Sequence, residues 1–183
     1  MTDIKTVFDA RELRNALGFF ATGVAIVSCV GPSGEALAAT ISSFNSVSLD
    51  PPLVLFSLAK SAKSLPAWEA ASHYAISILH GDQAELSNRF ARASPDKWNG
   101  IHHHQGVATN IAMIPNALAW FECESYAVND GGDHVIFIGR VLSLQHRTHA
   151  DRNPLVFFGG RYRKLASEIE NVPVDDGLWP HGW

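Results

Sequence analysis

Three short segments concentrate the residue types that do chemistry. In Thr40-Ile41-Ser42-Ser43-Phe44-Asn45-Ser46-Val47-Ser48 the hydroxyl and amide side chains outnumber the apolar ones. At a strand end, such groups match the polar edge of a heterocycle, or else satisfy local turns. Lys60-Ser61-Ala62-Lys63-Ser64 brings two lysines and two hydroxyls to the start of an expected helix. That composition suits either a phosphate or an ordinary helix cap with solvated lysines. Gly132-Asp133-His134 sets a histidine beside a carboxylate at a turn, able to offer a ring face or a proton near neutral pH, or simply to close a hairpin.

Other candidates are weaker. His102-His103-His104 invites a metal reading, but consecutive residues on an extended chain point in different directions and rarely converge on one ion. His146 and His149 add no matching carboxylate or cysteine, so no metal site is expected. Trp68, Trp98, Trp120, Phe90 and Phe121 read as core or interface residues, with Phe90 or Trp98 placed to cover a bound ring. Phe157-Phe158-Gly159-Gly160-Arg161-Tyr162 suits an edge closure or a contact to an anion.

The chain around these segments has 183 residues, 46% hydrophobic and 17% charged, with a formal charge of -4. That is one core-rich domain, with no concentrated basic face for nucleic acid or an anionic membrane. No apolar run is long enough to span a membrane, and Met1–Asp9 lacks a signal-peptide layout, so a cytoplasmic protein is expected. Cys29 and Cys123 read as two buried thiols of a reducing compartment. No G-x-G-x-x-G, phosphate loop, nucleophile elbow, H-E-x-x-H or C-x-x-C occurs.

The elements that must position the candidates follow from periodicity and turn chemistry. Arg11–Thr22 has helical spacing of Leu13, Leu17 and Phe20. Val24–Val30 and Glu35–Ser43 form a hairpin around Gly31-Pro32-Ser33-Gly34. Asp50-Pro51-Pro52 divides Ser46–Ala59 into a lead-in and a buried strand. Ser64 is placed to cap a helix through Ala71, and Asp82 one through about Ala91. His73–Leu79 is a strand between them. Arg92–Pro115 is the longest loop, Ala117–Val128 and His134–Gln145 are long strands about a tight turn, and Leu155–Tyr162 is a last strand. Six or seven strands without β-α alternation predict a mainly β, antiparallel barrel with short peripheral helices.

These pieces, in this order, resemble the flavin reductase family, whose domain is an FMN-binding split β-barrel of Greek-key type. The likeness runs from Phe20-Ala21-Thr22-Gly23-Val24 through Thr40–Phe44 to Ser46-Val47-Ser48-Leu49-Asp50-Pro51-Pro52-Leu53, similar to an S-V-S-x-x-P-P-L signature. It continues with Gly131-Gly132-Asp133-His134 and Gly139-Arg140-Val141, similar to a G-D-H-x-x-x-x-G-x-V signature. It covers about residues 13–165 of a single domain spanning 1–183, followed by a polar tail at 166–183.

The resemblance implies an NAD(P)H-dependent reductase that moves hydride from NADH or NADPH to FMN or FAD, with reduced flavin passed to a partner monooxygenase. Thr40, Ser42 and Ser43 then line the flavin ring and ribityl chain, with Ser57 beside them. Lys60, Ser61, Lys63 and Ser64 match the phosphate-binding segment. Ser87, Arg89 and Phe90 match a helix end near the flavin, and Tyr162 a C-terminal aromatic. His134 inherits the place beside the reactive face of the flavin, where it helps hold the nicotinamide. A homodimer is implied. The alternatives are a split-barrel electron carrier or an oxidase that does not use NAD(P)H.

Overall fold

In a computed structural model of the chain, residues 7–94, 96–147 and 153–165 are described. The expected tail and His149 lie outside them. The first helix, α1 (Ala10–Leu17), is shorter than its apolar periodicity predicts. Asp9 caps it, accepting from the N–H groups of Arg11 and Glu12 at 2.8 Å each, while Glu12 accepts from Asp9 N–H at 2.9 Å. Gly18 ends it, and Thr22–Gly23 is instead a short strand, β1. No side chain of α1 is buried. Its apolar stripe stays uncovered: Leu17 is 63% exposed, and Phe19 and Phe20 beyond the cap are 79% and 74% exposed.

The main sheet grows from hairpins. β2 (Ala25–Val30) and β3 (Ala36–Ile41) flank the expected Gly31–Gly34 turn. The expected lead-in is itself a strand, β4 (Asn45–Leu49), folded back on β5 (Pro52–Ala59) across the Asp50-Pro51 turn. Next come α2 (Leu65–Ala70), β6 (His73–Ile78) and α3 (Ala84–Ala91). The long loop contains a two-residue hairpin, β7 (His104–Gln105) with β8 (Ala112–Met113). β9 (Ala119–Gly131) and β10 (His134–His146) are 13 residues each. The predicted last strand is a small hairpin, β11 (Val156–Phe158) and β12 (Arg161–Arg163), turning at Gly159-Gly160.

Strand order in the main sheet is β3-β2-β6-β9-β10-β5-β4, every neighbour antiparallel. The chain crosses from the β2–β3 hairpin to the β4–β5 hairpin at the far edge, then returns beside β2, a Greek-key path. Two register shifts in β9–β10, at Ile138/Gly139 and Val141/Ser143, bend the long hairpin around the interior. Glycine is required at 139, where a Cβ would meet Cys123 Cβ at 2.8 Å. Alternation sends Val54, Phe56 and Leu58 of β5 inward, and Leu55, Ser57 and Ala59 to the half-buried outer face.

The interior is aromatic. Phe56 stacks on Phe137 with centroids 5.0 Å apart and meets Tyr74 edge-on at 5.2 Å. Trp68, Tyr74, Phe56 and Phe137 are all at most 1% exposed, and burial of such a ring contributes about 1.5–3 kcal/mol. A second cluster, with Ile26, Leu79, Phe90, Ile114 and Leu155, joins α3 to the outside of the sheet.

Two expected caps are not formed. The Ser64 hydroxyl accepts from the Trp68 indole at 3.2 Å and makes no cap bond to α2. Gln83, not Asp82, precedes α3, because the Asp82 carboxylate is engaged by His80 Nδ1 at 2.6 Å. Cys29 and Cys123 are free and buried. Burial first, then nearby carboxylates (Glu35 and Glu122), push each thiol up to about 12. The native protein is therefore expected to leave a disulfide-exchange reagent unreacted at pH 8, with both thiols released on denaturation. Fast reaction in the native state would contradict that burial.

Candidate functional site

Where β3 ends, the sheet's edge meets β5 without forming a ladder. Ser43 bridges that seam: its Oγ accepts from Ser57 N–H at 2.9 Å and donates to Ser57 C=O at 3.2 Å. One serine side chain thus replaces a rung of backbone pairing. Ser42 beside it is exposed. Neither the Ser42 nor the Ser57 hydroxyl is engaged within the described residues, so this seam keeps unused donors and acceptors.

Further along β5 the register brings two sequence-distant segments together. Ala59 pairs with His134 and Ser57 with Ile136, so Lys60 leaves β5 beside the β9–β10 turn. Lys60 N–H donates to Asp133 C=O at 2.9 Å. The Lys60 ammonium is ion-paired with Asp130, a residue the motif reading passed over. His134 Nδ1 is 2.7 Å from Asp133 Oδ1, with the imidazole 43% exposed. Asp133 is held below the usual carboxylate range, chiefly by that hydrogen bond and then by the His134 charge. Ser61 and Lys63 stand exposed on the same connection to α2.

Thr40 leads toward α3. Its hydroxyl donates to Ser87 C=O at 2.7 Å, the Ser87 and Tyr162 hydroxyls are 2.7 Å apart, and Tyr162 O–H donates to Asn88 Oδ1 at 3.1 Å. Ser87 and Phe90 are both 0% exposed. They therefore support this polar chain from behind and present no surface of their own. Arg89 points elsewhere, donating to Asp96 C=O at 3.1 Å and to Asn99 C=O. Asn88 was missed because helix residues next to a chosen serine carry no distinguishing type or spacing.

The histidine run diverges, as alternating directions require. His103 lies against Trp98 at 5.3 Å and His104 against Trp120 at 5.4 Å. Trp98 packs edge-on to Phe90 at 4.8 Å, so it is a support for α3. No group of three or more metal-ligating side chains exists among the described residues. The loop owes its shape to Glu122, which is 2% exposed. Its carboxylate accepts from the N–H groups of Val107, Ala108 and Thr109 and from the Thr109 hydroxyl, at 2.8–3.1 Å. The only sequence signal was an acid amid apolar neighbours in β9.

The opposite end of β5 and β10 opens into an apolar cleft of about 530 Å³, lined by Phe44, Leu49, Leu53, Phe121, Val141 and Leu144. Polar chemistry and apolar surface are thus segregated to the two ends of these strands.

Comparison with known proteins then decides the lineage. A family model, the flavin reductase like domain, matches residues 17–166. This chain belongs to the flavin reductase like family. Within that family, it is 44% identical over 162 residues to the FMN reductase (NADH) SmoA of Agrobacterium fabrum, covering 87% of this chain and 88% of that one. It is 40% identical over 172 residues to the reductase component of the flavin-dependent trigonelline monooxygenase of Acinetobacter baylyi. That match covers 94% of this chain and 54% of the relative, so the chain spans about half the length of that protein. The NADH:FAD oxidoreductase SgcE6 of Streptomyces globisporus, solved with NAD and FAD fragments, superposes with a TM-score of 0.81. It is 33% identical and covers 90% of this flavin reductase like chain and 99% of its own. The antiparallel split barrel expected from the sequence is therefore the fold observed.

Proposed function

We propose that the protein is an NAD(P)H-dependent flavin reductase supplying reduced FMN or FAD to a flavin-dependent monooxygenase. The observation that carries this reading is the meeting of Lys60 with Asp133-His134 at the end of β5 that also holds Ser57 and Ser43. It supports one continuous polar surface from hydroxyl seam to lysine. The relatives named for the same activity support it independently.

The donor set fits a flavin. Ser42 and Ser57 offer free hydroxyls to a heterocycle edge, Ser43 retains an acceptor lone pair, and Thr40 is oriented by Ser87. Lys60, Ser61, Lys63 and Ser64 surround the position for an anionic phosphate. Because Ser64 already accepts from Trp68, its hydroxyl hydrogen is what remains to donate. Asp133 holds one ring nitrogen of His134, leaving the other to face a nicotinamide. Tyr162 and Asn88, with Ser87, Arg89 and Phe90 behind or beside them, order the α3 side. Hydride transfer from nicotinamide to flavin needs no strong protein acid or base, so these residues act mainly by alignment.

The same proposal includes a homodimer and a cytoplasmic location. No helix among the described residues is long and apolar enough to cross a membrane. Leu49, Leu144, Phe19 and Phe20 are 59–79% exposed, and the apolar cleft opens beside Leu49 and Leu144. A second copy covering this surface would bury the apolar area that a stable interface needs. Light scattering should give about twice the 19.9 kDa chain mass, and Leu49→Asp with Leu144→Asp should shift it to one chain. A monomeric wild type would remove the dimer from the proposal.

The activity itself is tested by mixing the pure protein with NADH or NADPH and FMN or FAD. Pyridine absorbance near roughly 340 nm should fall at a flavin-dependent rate. A protein inert to both nicotinamides with both flavins would overturn the reading.

A further inference from the structure

We propose that Asp130 sets the protein's discrimination between phosphorylated and unphosphorylated flavins, its carboxylate competing with the flavin phosphate for Lys60. This rests on the reading of Lys60 as part of the phosphate segment.

The geometry is specific to the β9–β10 tip. Asp130 is the penultimate residue of β9, opposite Val135, which in turn pairs with Leu58 of β5. The turn then aims its carboxylate: Gly132 N–H donates to Asp130 Oδ1 at 2.9 Å, leaving Oδ2 for the Lys60 ammonium. The Lys60 backbone is clipped to the same turn through Asp133 C=O. Lys60 is therefore held from two sides by one hairpin, and its charge is already answered by an anion of this chain. Asp133 does not share that task, since its carboxylate is occupied by His134.

The pair is open to water, with side chains 42% and 74% exposed, so an incoming anion reaches it without unfolding anything. Exposed ion pairs are weak, and a phosphate dianion carries more charge than a carboxylate. Phosphate consequently displaces Asp130 or shares the lysine with it, at a cost in affinity that riboflavin does not meet. For a protein that hands its reduced product on, such a built-in competitor favours release.

The test measures dissociation constants for FMN and riboflavin by flavin fluorescence, in the wild type, Asp130→Asn, Lys60→Met and the double variant. Asp130→Asn should tighten FMN by about two- to fivefold at low ionic strength and leave riboflavin unchanged. The gain should shrink in roughly 0.5 M salt. It should vanish in the Lys60→Met background, because the competition acts through that lysine. If Asp130→Asn leaves the FMN-to-riboflavin ratio unchanged, or tightens FMN equally without Lys60, the competition is refuted. If instead Lys60→Met fails to alter that ratio, the phosphate reading itself fails. The two failures are thus separable. Asp130 lies at an exposed strand end, and matching melting temperatures confirm that the variants fold alike.

Discussion

Replacing His134 with alanine is expected to lower kcat/KM for NADH by about 10- to 100-fold, with the FMN dissociation constant changing less than about threefold. The imidazole is 43% exposed and its only described hydrogen bond is to Asp133, so its loss leaves no buried group unpaired. What is lost is a ring held in one orientation next to the place where the nicotinamide must lie. Misplacing a reacting group by about 1 Å can cost a factor of about 100, which sets the upper end of the range. Steady-state turnover at fixed FMN, paired with fluorescence titration of flavin, separates the two effects. Asp133→Asn should act in the same direction but more weakly, because the amide still accepts from the ring. The orientation should also survive acidification. Asp133 is held below the usual carboxylate range, so it stays ionised as pH falls through the region where a free Asp titrates, and the bond is lost only below that. If alanine at 134 spares NADH turnover, His134 does not hold the nicotinamide. If flavin binding collapses with it, the residue belongs to the flavin contact instead.

Glu122→Ala is expected to destabilise the protein by about 3 kcal/mol, since several donors lose a charged acceptor at once. Unsatisfied buried donors cost roughly 1–3 kcal/mol each, but Val107 and Ala108 are exposed and water can answer their N–H groups. For a chain of this length the loss corresponds to a melting shift of roughly 6–12 °C. Glu122→Gln should be milder, keeping an acceptor oxygen while turning an amide toward N–H groups that need acceptors. Gly106→Ala probes the same contact from the other side, since a Cβ there would lie 2.2 Å from Glu122 Oε2. Calorimetry on the three variants gives the ranking. An Ala variant as stable as wild type would mean that the 106–109 turn is not anchored by this carboxylate.

Much of the architecture was legible because local chemistry and global fold agree. The β2–β3 and β9–β10 hairpins follow from turn residues between strand-forming runs, and the antiparallel class follows from the lack of β-α alternation. Expectation failed where a side chain had two uses. Asp82 and Ser64 have the right type and position for caps, yet His80 and the Trp68 indole claim them. The apolar spacing through Phe20 reads as a longer helix, but Thr22–Gly23 finds an edge to pair with, β11, more than a hundred residues away.

The site divides along the same line. Residue types alone marked Thr40–Ser43, Lys60–Ser64 and Asp133-His134, and by resemblance tied them to a flavin and a nicotinamide. That Lys60 and His134 share one end of the barrel was not legible, because it depends on the register of β5 against β10. Ser87 and Phe90 matched a motif, and only burial showed that they stand behind the surface.

Composition, turn chemistry and hydrophobic pattern therefore determined the class of fold, the single domain, the buried thiols and the identity of the chemistry-bearing segments. These properties depend on near neighbours and on periodicity, which a linear chain carries. The pairing of Asp130 with Lys60, the anchoring of the histidine loop by Glu122 and the segregation of polar and apolar ends were decided by tertiary structure. Each depends on which distant strand lies alongside, and a shift of one residue in that register would turn every side chain to the opposite face.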